Sequence, residues 1–195
     1  MKAIIFFTRV PIAGKTKTRM QHYLSPDECS VLHKAMIKDI YKECSKTPAD
    51  IFVYYTPLEG LERLQKIIGT KNAYKLQNGE HLGEKMHNAI AEVLDLGYES
   101  CILIGSDIAE LRKDHLNTAF NKLENADIVF GKTVDGGYYL VGMKRAVKEI
   151  FEVEKYGNSE VFANTLKKLS NLGLKIAYTK TLYDIDTKDD LALHR

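Results

Sequence analysis

The chain has 195 residues, 28% of them charged, with a formal net charge of only +2. That length fits one domain with a continuous core, and so small a surplus excludes binding nucleic acid or a lipid surface through a broad basic face. Cys29, Cys44 and Cys101 lack CxxC spacing, and the sequence shows neither a signal-peptide pattern nor an apolar run of transmembrane length, so the expectation is a cytoplasmic protein without membrane insertion.

Apolar runs alternate with helix-periodic segments from end to end, the pattern of a three-layer α/β/α domain around a mostly parallel sheet. Ala3–Phe7 reads as the first strand, followed by the loop Thr8–Thr18, with Arg19 and Met20 opening a helix. Ser25-Pro26-Asp27-Glu28 supplies a capping hydroxyl, a first-turn proline and two acids suited to a helix N-terminus, so a helix runs from there to about Ser45. Ile51–Tyr55 is a second strand, Leu58–Ile68 a helix, and Ala73–Leu76 a short strand before the turn QNGEHLG. Met86, Ile90, Val93 and Leu94 give Glu84–Leu96 a helical period that Gly97 stops. Cys101–Ile104 is continuously apolar, as a central strand buried on both faces should be, and it ends in Gly105-Ser106-Asp107. The order closes with a helix over Asp114–Leu123, strands at Ile128–Phe130 and Tyr138–Val141, a helix over Glu160–Leu172, a strand over Lys175–Thr179 and a last helix over Thr187–Leu193. Thr187 and Asp190 form that helix's capping box.

Four polar clusters follow predicted strands: the Thr8–Arg19 loop, Gly105–Asp107, Asp135–Gly137 and Asp184–Asp186. In an open parallel sheet such ends share one edge, so the four converge on a single crevice. The loop contains GKT, but a phosphate-cradling P-loop needs a glycine five residues before Gly14, where this chain has Arg9, with Pro11 between them. An ATPase loop of that kind is excluded. What remains is a basic loop in which Arg9, Pro11, Gly14, Lys15, Lys17 and Arg19 are the candidates for holding a nucleotide and its phosphates.

Asp107 leaves a buried strand through a Gly-Ser turn, so its carboxylate should stand at the rim, where it can hold a hard divalent cation or cap its own turn. Asp184 and Asp186 lie two apart and face the same way if extended; Asp186 is the better ligand of the two. Gly136 and Gly137 permit close approach of backbone to a ligand, although Asp-Gly is also an ordinary turn signature. Of Tyr138 and Tyr139, alternation buries one and leaves the other to meet a ligand. The six histidines have no HExxH spacing and stand beside no paired cysteine, which argues against zinc, and no GxSxG elbow supports nucleophilic hydrolysis. His81 and His87 read as solvated surface residues.

The run from Pro11 to Arg19 (PxxGxxKTR), QNGEHLGEKM, the GSD turn, FGKTVDGGYYLVG and the ending DIDTKDDL together resemble the glycosyltransferase-like family DUF2064, in the same order along almost the whole chain. The closing DIDTxxDL is also similar to that of molybdenum-cofactor nucleotidyltransferases. The resemblance implies a GT-A (nucleotide-diphospho-sugar transferase) fold. It also implies nucleotide binding through the N-terminal loop, and Mg2+ or Mn2+ held by Asp107, joined by Asp186. The activity it implies first is glycosyl transfer from a nucleotide sugar to a small-molecule acceptor near Gly136, Gly137 and Tyr138, with Asp107 and Asp135 as catalytic residues. Nucleotidyl transfer from an NTP with release of pyrophosphate, and nucleotide binding without catalysis, are the alternatives. Ala109 stands where the family pattern has proline, so the turn carrying Asp107 lacks the stiffening of a fixed φ.

Overall fold

A computed structural model of the chain describes residues 1–152, 160–187 and 190–191. Seven strands form one sheet: β1 (Lys2–Arg9), β2 (Asp50–Thr56), β3 (Ala73–Leu76), β4 (Ser100–Ile104), β5 (Ile128–Lys132), β6 (Tyr138–Met143) and β7 (Ile176–Tyr178), in the order β3-β2-β1-β4-β6-β5-β7. Every neighbouring pair is parallel except those involving β6, which runs antiparallel to both β4 and β5. β6 returns from β5 across a hairpin, with an irregularity in the pairing at Gly131 and Lys132. That hairpin brings the start of β6 to the edge at which the parallel strands end.

The helices are α1 (Pro26–Cys44), α2 (Leu61–Ile68), α3 (Leu82–Asp95), α4 (Lys113–Leu123) and α5 (Val161–Leu169). Alternation along β1 shows how the strands divide the apolar side chains between two layers. Ile4 and Phe6 join a core with residues of α1, α2 and α4. Ala3, Ile5 and Phe7 point the other way, into a core with α3, α5 and the 3-10 turn Lys148–Phe151. α1 opens as its sequence dictates: the Ser25 side chain accepts from the Glu28 N–H, the Glu28 carboxylate takes the Ser25 N–H, and Pro26 fills the first turn.

Several expected elements differ in extent. The segment opened by Arg19 and Met20 is a 3-10 turn, Thr18–His22, too short for an α-helix. Leu58–Ile68 divides into a 3-10 turn, Leu58–Gly60, and α2; a Cβ on Gly60 would overlap the Val10 side chain, so this turn packs against the start of the basic loop. α5 ends at Leu169, short of Leu172, before Gly173 takes a positive φ of 62°. Of the last predicted helix only Thr187, Asp190 and Leu191 are described, the rest lying outside the described residues; Asp190 accepts from the Thr187 N–H at 2.7 Å, as a capping acid should. All three cysteines are buried and unpaired. Among the described residues no helix is long and apolar enough to cross a membrane.

β1 is the strand at which the chain reverses its direction of spread, β2 and β3 lying to one side and β4 to the other. In open α/β sheets ligands bind beyond the strand ends at such a switch point.

Candidate active site

A cavity of about 630 Å³ lies at that switch point, bordered by the loop after β1, the turn after β4, the β5–β6 hairpin and the segment after β7. Arg9, Lys15, Lys17, Arg19, Asp107, Asp135, Gly137, Tyr138 and Asp186 line it; Pro11, Gly14 and Gly136 do not. Those three shape the loops instead. The Pro11 carbonyl accepts from Ser30 Oγ at 2.7 Å, and Gly14 and Gly136 have φ of 79° and 94°, a region that favours glycine.

Lys17 organises the centre. Its side chain is 3% exposed, and its ammonium lies 2.5 Å from Asp107 Oδ1 and 3.3 Å from Asp186 Oδ1 while also donating to the Ile185 carbonyl. Arg19 reaches the other Asp186 oxygen at 3.2 Å. The backbone at Lys17 is left-handed (φ 48°, ψ 41°), and it is the one non-glycine with positive φ among the described residues. The two acids come from different strand ends and are 46% and 35% exposed, so they face the crevice with the lysine sealed behind them.

The turn carrying Asp107 keeps its orientation without a proline at Ala109. Ile185 N–H donates to the Asp107 carbonyl at 3.0 Å, tying the turn after β4 to the segment after β7. Arg112 donates to the Ala109 carbonyl at 2.8 Å. On the other flank, Tyr139 packs against Gly131, where a Cβ would overlap its ring, and its hydroxyl donates to the Lys180 carbonyl at 3.1 Å. Tyr139 is thus the buried member of the tyrosine pair, and Tyr138 is the half-buried one, in edge contact with Phe130.

A buried chain of polar side chains supports the loop from below. Thr8 Oγ1 lies 2.9 Å from Ser106 Oγ, Ser106 Oγ lies 3.0 Å from His33 Nε2, and His33 Nδ1 meets Thr16 Oγ1. Thr8, Thr16, His33 and Ser106 are all nearly inaccessible. Burial pushes the His33 imidazole down to about 4, the charges of Lys17 and Arg9 acting in the same sense and Asp107 against it. His33 is therefore a neutral link, on α1, between both ends of the basic loop and the residue before Asp107. Nothing local in the sequence marks it, because its partners are 17 and 73 residues away.

The remaining acids behave differently from one another. Asp135 Oδ1 takes the Thr133 hydroxyl at 2.5 Å and the Gly137 N–H at 3.1 Å, so that oxygen holds its own turn. Asp184 is pushed up to about 6, first by burial and then by the negative charge of Asp135. Of Asp184 and Asp186, it is Asp186 that pairs with Lys17 and Arg19, and its charge adds to the upward push on Asp184. His81 borders the cavity and its Nδ1 accepts from Glu84 N–H at 3.2 Å, capping α3, whereas His87 stacks edge-on with Phe151. Lys85, in the first turn of α3, also lines the cavity, as does Gln77, whose Nε2 donates to the Thr8 and Tyr54 carbonyls at 2.9 and 3.2 Å. Arg9 and Lys85 form no ion pair among the described residues, whereas Lys15 has a partner in Glu59 at 3.8 Å.

Residues 40–158 match DUF2064, a family of uncharacterized proteins conserved in bacteria. The chain belongs to DUF2064. This DUF2064 chain is 27% identical over 188 residues to the 2-phospho-L-lactate guanylyltransferase of Methanocaldococcus vulcanius, covering 93% of the chain and 80% of that protein. A crystal structure from Desulfovibrio desulfuricans G20, provisionally described as a nucleotide-diphospho-sugar transferase, superposes with a TM-score of 0.93 at 28% identity, over 99% of this chain and 85% of that one. The fold is also that of Rv0371C from Mycobacterium tuberculosis H37Rv, solved with manganese, with a TM-score of 0.61 at 12% identity over 98% of this chain and 96% of that one. The DUF2064 chain therefore has the nucleotide-diphospho-sugar transferase fold, with a mostly parallel sheet between helical layers.

Proposed function

We propose that this chain is a nucleotidyltransferase acting with a divalent cation: an oxygen of a small, anionic acceptor attacks the α-phosphate of a nucleoside triphosphate. The new O–P bond forms as the bond from the α-phosphate to the bridging oxygen breaks, and pyrophosphate leaves. The observation that carries this reading is the convergence of Asp107 and Asp186 on one buried ammonium, at the mouth of a crevice where Arg9 and Lys85 have no ion-pair partner among the described residues. The crevice walls carry five basic side chains, Arg9, Lys15, Lys17, Arg19 and Lys85, against five acids, Glu80, Asp107, Asp135, Asp184 and Asp186; with Lys15, Lys17 and Arg19 paired to carboxylates, Arg9 and Lys85 are the bases left to meet phosphate and an anionic acceptor. The guanylyltransferase relative acts, by its name, on a phosphorylated lactate, an acceptor of that kind.

The donor set fits a hard divalent cation, since two carboxylates from separate strand ends already meet on one positive charge. Among the described residues no group of three His, Cys, Asp or Glu side chains could hold a metal, so Asp107 and Asp186 would share it with water and phosphate oxygens. When bound, such an ion neutralises charge on the phosphates and on the departing pyrophosphate. Arg9, Lys15 and Arg19 orient the triphosphate, and the turn-bound Asp135 positions the acceptor. A phosphate or carboxylate oxygen is ionised at neutral pH, so such an acceptor needs no general base; Asp135, with one oxygen committed to its turn, is poorly placed to act as one.

Glycosyl transfer from a nucleotide sugar is the second reading, favoured by the likeness to the D. desulfuricans protein. Product identity separates the two. With GTP, Mn2+ and a set of phosphorylated hydroxy acids, the expected result is pyrophosphate released in step with a nucleotidylated acceptor. Nucleoside diphosphate released from a nucleotide sugar would carry the glycosyl reading instead, and nucleotide binding with neither product would mark a non-catalytic binding protein.

A further inference from the structure

Before any substrate arrives, the two acids at the crevice mouth are already neutralised. Two carboxylate charges, Asp107 and Asp186, face two positive ones, Lys17 and Arg19, all within 3.3 Å of a partner oxygen. Lys17 is held there firmly: it is 3% exposed, it donates to the Ile185 carbonyl as well, and its backbone adopts a left-handed conformation that L-residues rarely take. A cation approaching from solvent meets two carboxylates whose charges Lys17 and Arg19 already balance, with Asp184 and Asp190 as the further acids nearby, and finds no group of three protein ligands among the described residues.

We propose that Lys17 is the resident counter-ion of the Asp107–Asp186 pair, and that it makes cation binding conditional on nucleotide. This inference rests on the reading of the crevice as a nucleotide site. In the free protein Lys17 competes with a divalent ion for the same two carboxylates. When a triphosphate enters, its oxygens offer the ammonium a replacement partner, so Lys17 can leave the acids without losing its charge pairing. Nucleotide and cation then bind with positive linkage: each raises the affinity for the other by the same factor. The crevice acquires the cation together with the nucleotide and does not keep one between turnovers.

The test is Mn2+ binding, followed by the electron paramagnetic resonance of the free ion, with Mn2+ alone and with Mn2+ plus a non-hydrolysable GTP analogue. The signal is corrected for the complex the two form in buffer. Wild type is expected to bind Mn2+ alone weakly and to gain on the order of tenfold or more in Mn2+ affinity when the analogue is present. In Lys17→Met, Mn2+ alone should bind on the order of tenfold more tightly than in wild type, because a unit positive charge has been removed from the carboxylates, and the gain from the analogue should shrink. Lys17→Asn must behave likewise; asparagine tolerates the left-handed backbone, so this variant decides the matter if the methionine variant does not fold. Mn2+ binding no tighter in the variants than in wild type, with the wild-type nucleotide complex intact, would overturn this proposal and leave the nucleotide reading standing. Absence of any Mn2+–nucleotide binding by wild type would overturn both.

Discussion

Replacing Asp107 with asparagine is expected to lower the rate of transfer by roughly 10²–10³-fold while leaving the fold intact, the size of loss found when one preorganised electrostatic contact to developing charge is removed. The substitution is nearly isosteric, and the backbone bond from Ile185 N–H to the residue 107 carbonyl does not depend on the side chain. Lys17 keeps Asp186 and the Ile185 carbonyl, and an asparagine oxygen can still accept from it. The Asp107 carboxylate is 46% exposed, so solvent screening limits what its pair with Lys17 adds to stability to about 1 kcal/mol or less. Steady-state rates measured beside thermal unfolding check both halves of the expectation. A variant with near wild-type turnover would remove Asp107 from the chemistry, and a variant that unfolds would make it structural.

The second large effect concerns His33 and stability. Its imidazole is held at about 4 by burial, against 6.5 when free in the unfolded chain. The unfolded state therefore binds more protons between those two values. The stabilisation from a neutral His33 is fully present above pH 6.5 and is lost as pH falls towards 4. Between pH 7 and pH 4.5 this one group should cost about 2 kcal/mol of unfolding free energy. Urea unfolding of wild type and His33→Gln at both pH values isolates it from carboxylates titrating in the same range. The variant should be less stable at pH 7, because Thr16 or Ser106 loses a buried partner, yet it should lose about 2 kcal/mol less on acidification. Equal losses in the two proteins would show that His33 is not held neutral by the fold.

Much of the fold is legible in the sequence because its central strands are buried on both faces. Cys101–Ile104 and Ala3–Phe7 are unbroken apolar runs, which a half-exposed strand or an amphipathic helix would interrupt, and both are strands. Helix starts with local chemistry are equally readable, as at Ser25 to Glu28. The direction of β6 is not, because Tyr138–Met143 has the same composition whether it runs with its neighbours or against them; only the short connection from β5 hints at a hairpin. The crevice is partly legible for a related reason. Acids in the loops that leave apolar strands emerge at one sheet edge, which brings Asp107 and Asp186 to one place from strands that begin 76 residues apart, β4 at Ser100 and β7 at Ile176. Side chains that reach the centre from a helix interior leave no such mark. His33 lies in the middle of α1 with an ordinary helical neighbourhood, and its part in fixing the loop depends wholly on contacts made through the fold. That Lys17, among four basic residues of the loop, is the one sealed behind the acids likewise follows from its left-handed backbone, which the sequence does not announce.

The strand-end crevice is proposed as a nucleotide site whose cation is held through Asp107 and Asp186. Thermal unfolding of wild type with GTP, ATP, CTP or UTP, each with and without Mn2+, tests it most directly. At least one nucleotide should raise the unfolding temperature in a concentration-dependent way, approaching about 2.7 kcal/mol of stabilisation at a hundredfold excess over its Kd, with most of the effect requiring Mn2+ and lost in Asp107→Asn. Unfolding temperatures that do not move with any of the four, with or without the cation, would contradict it.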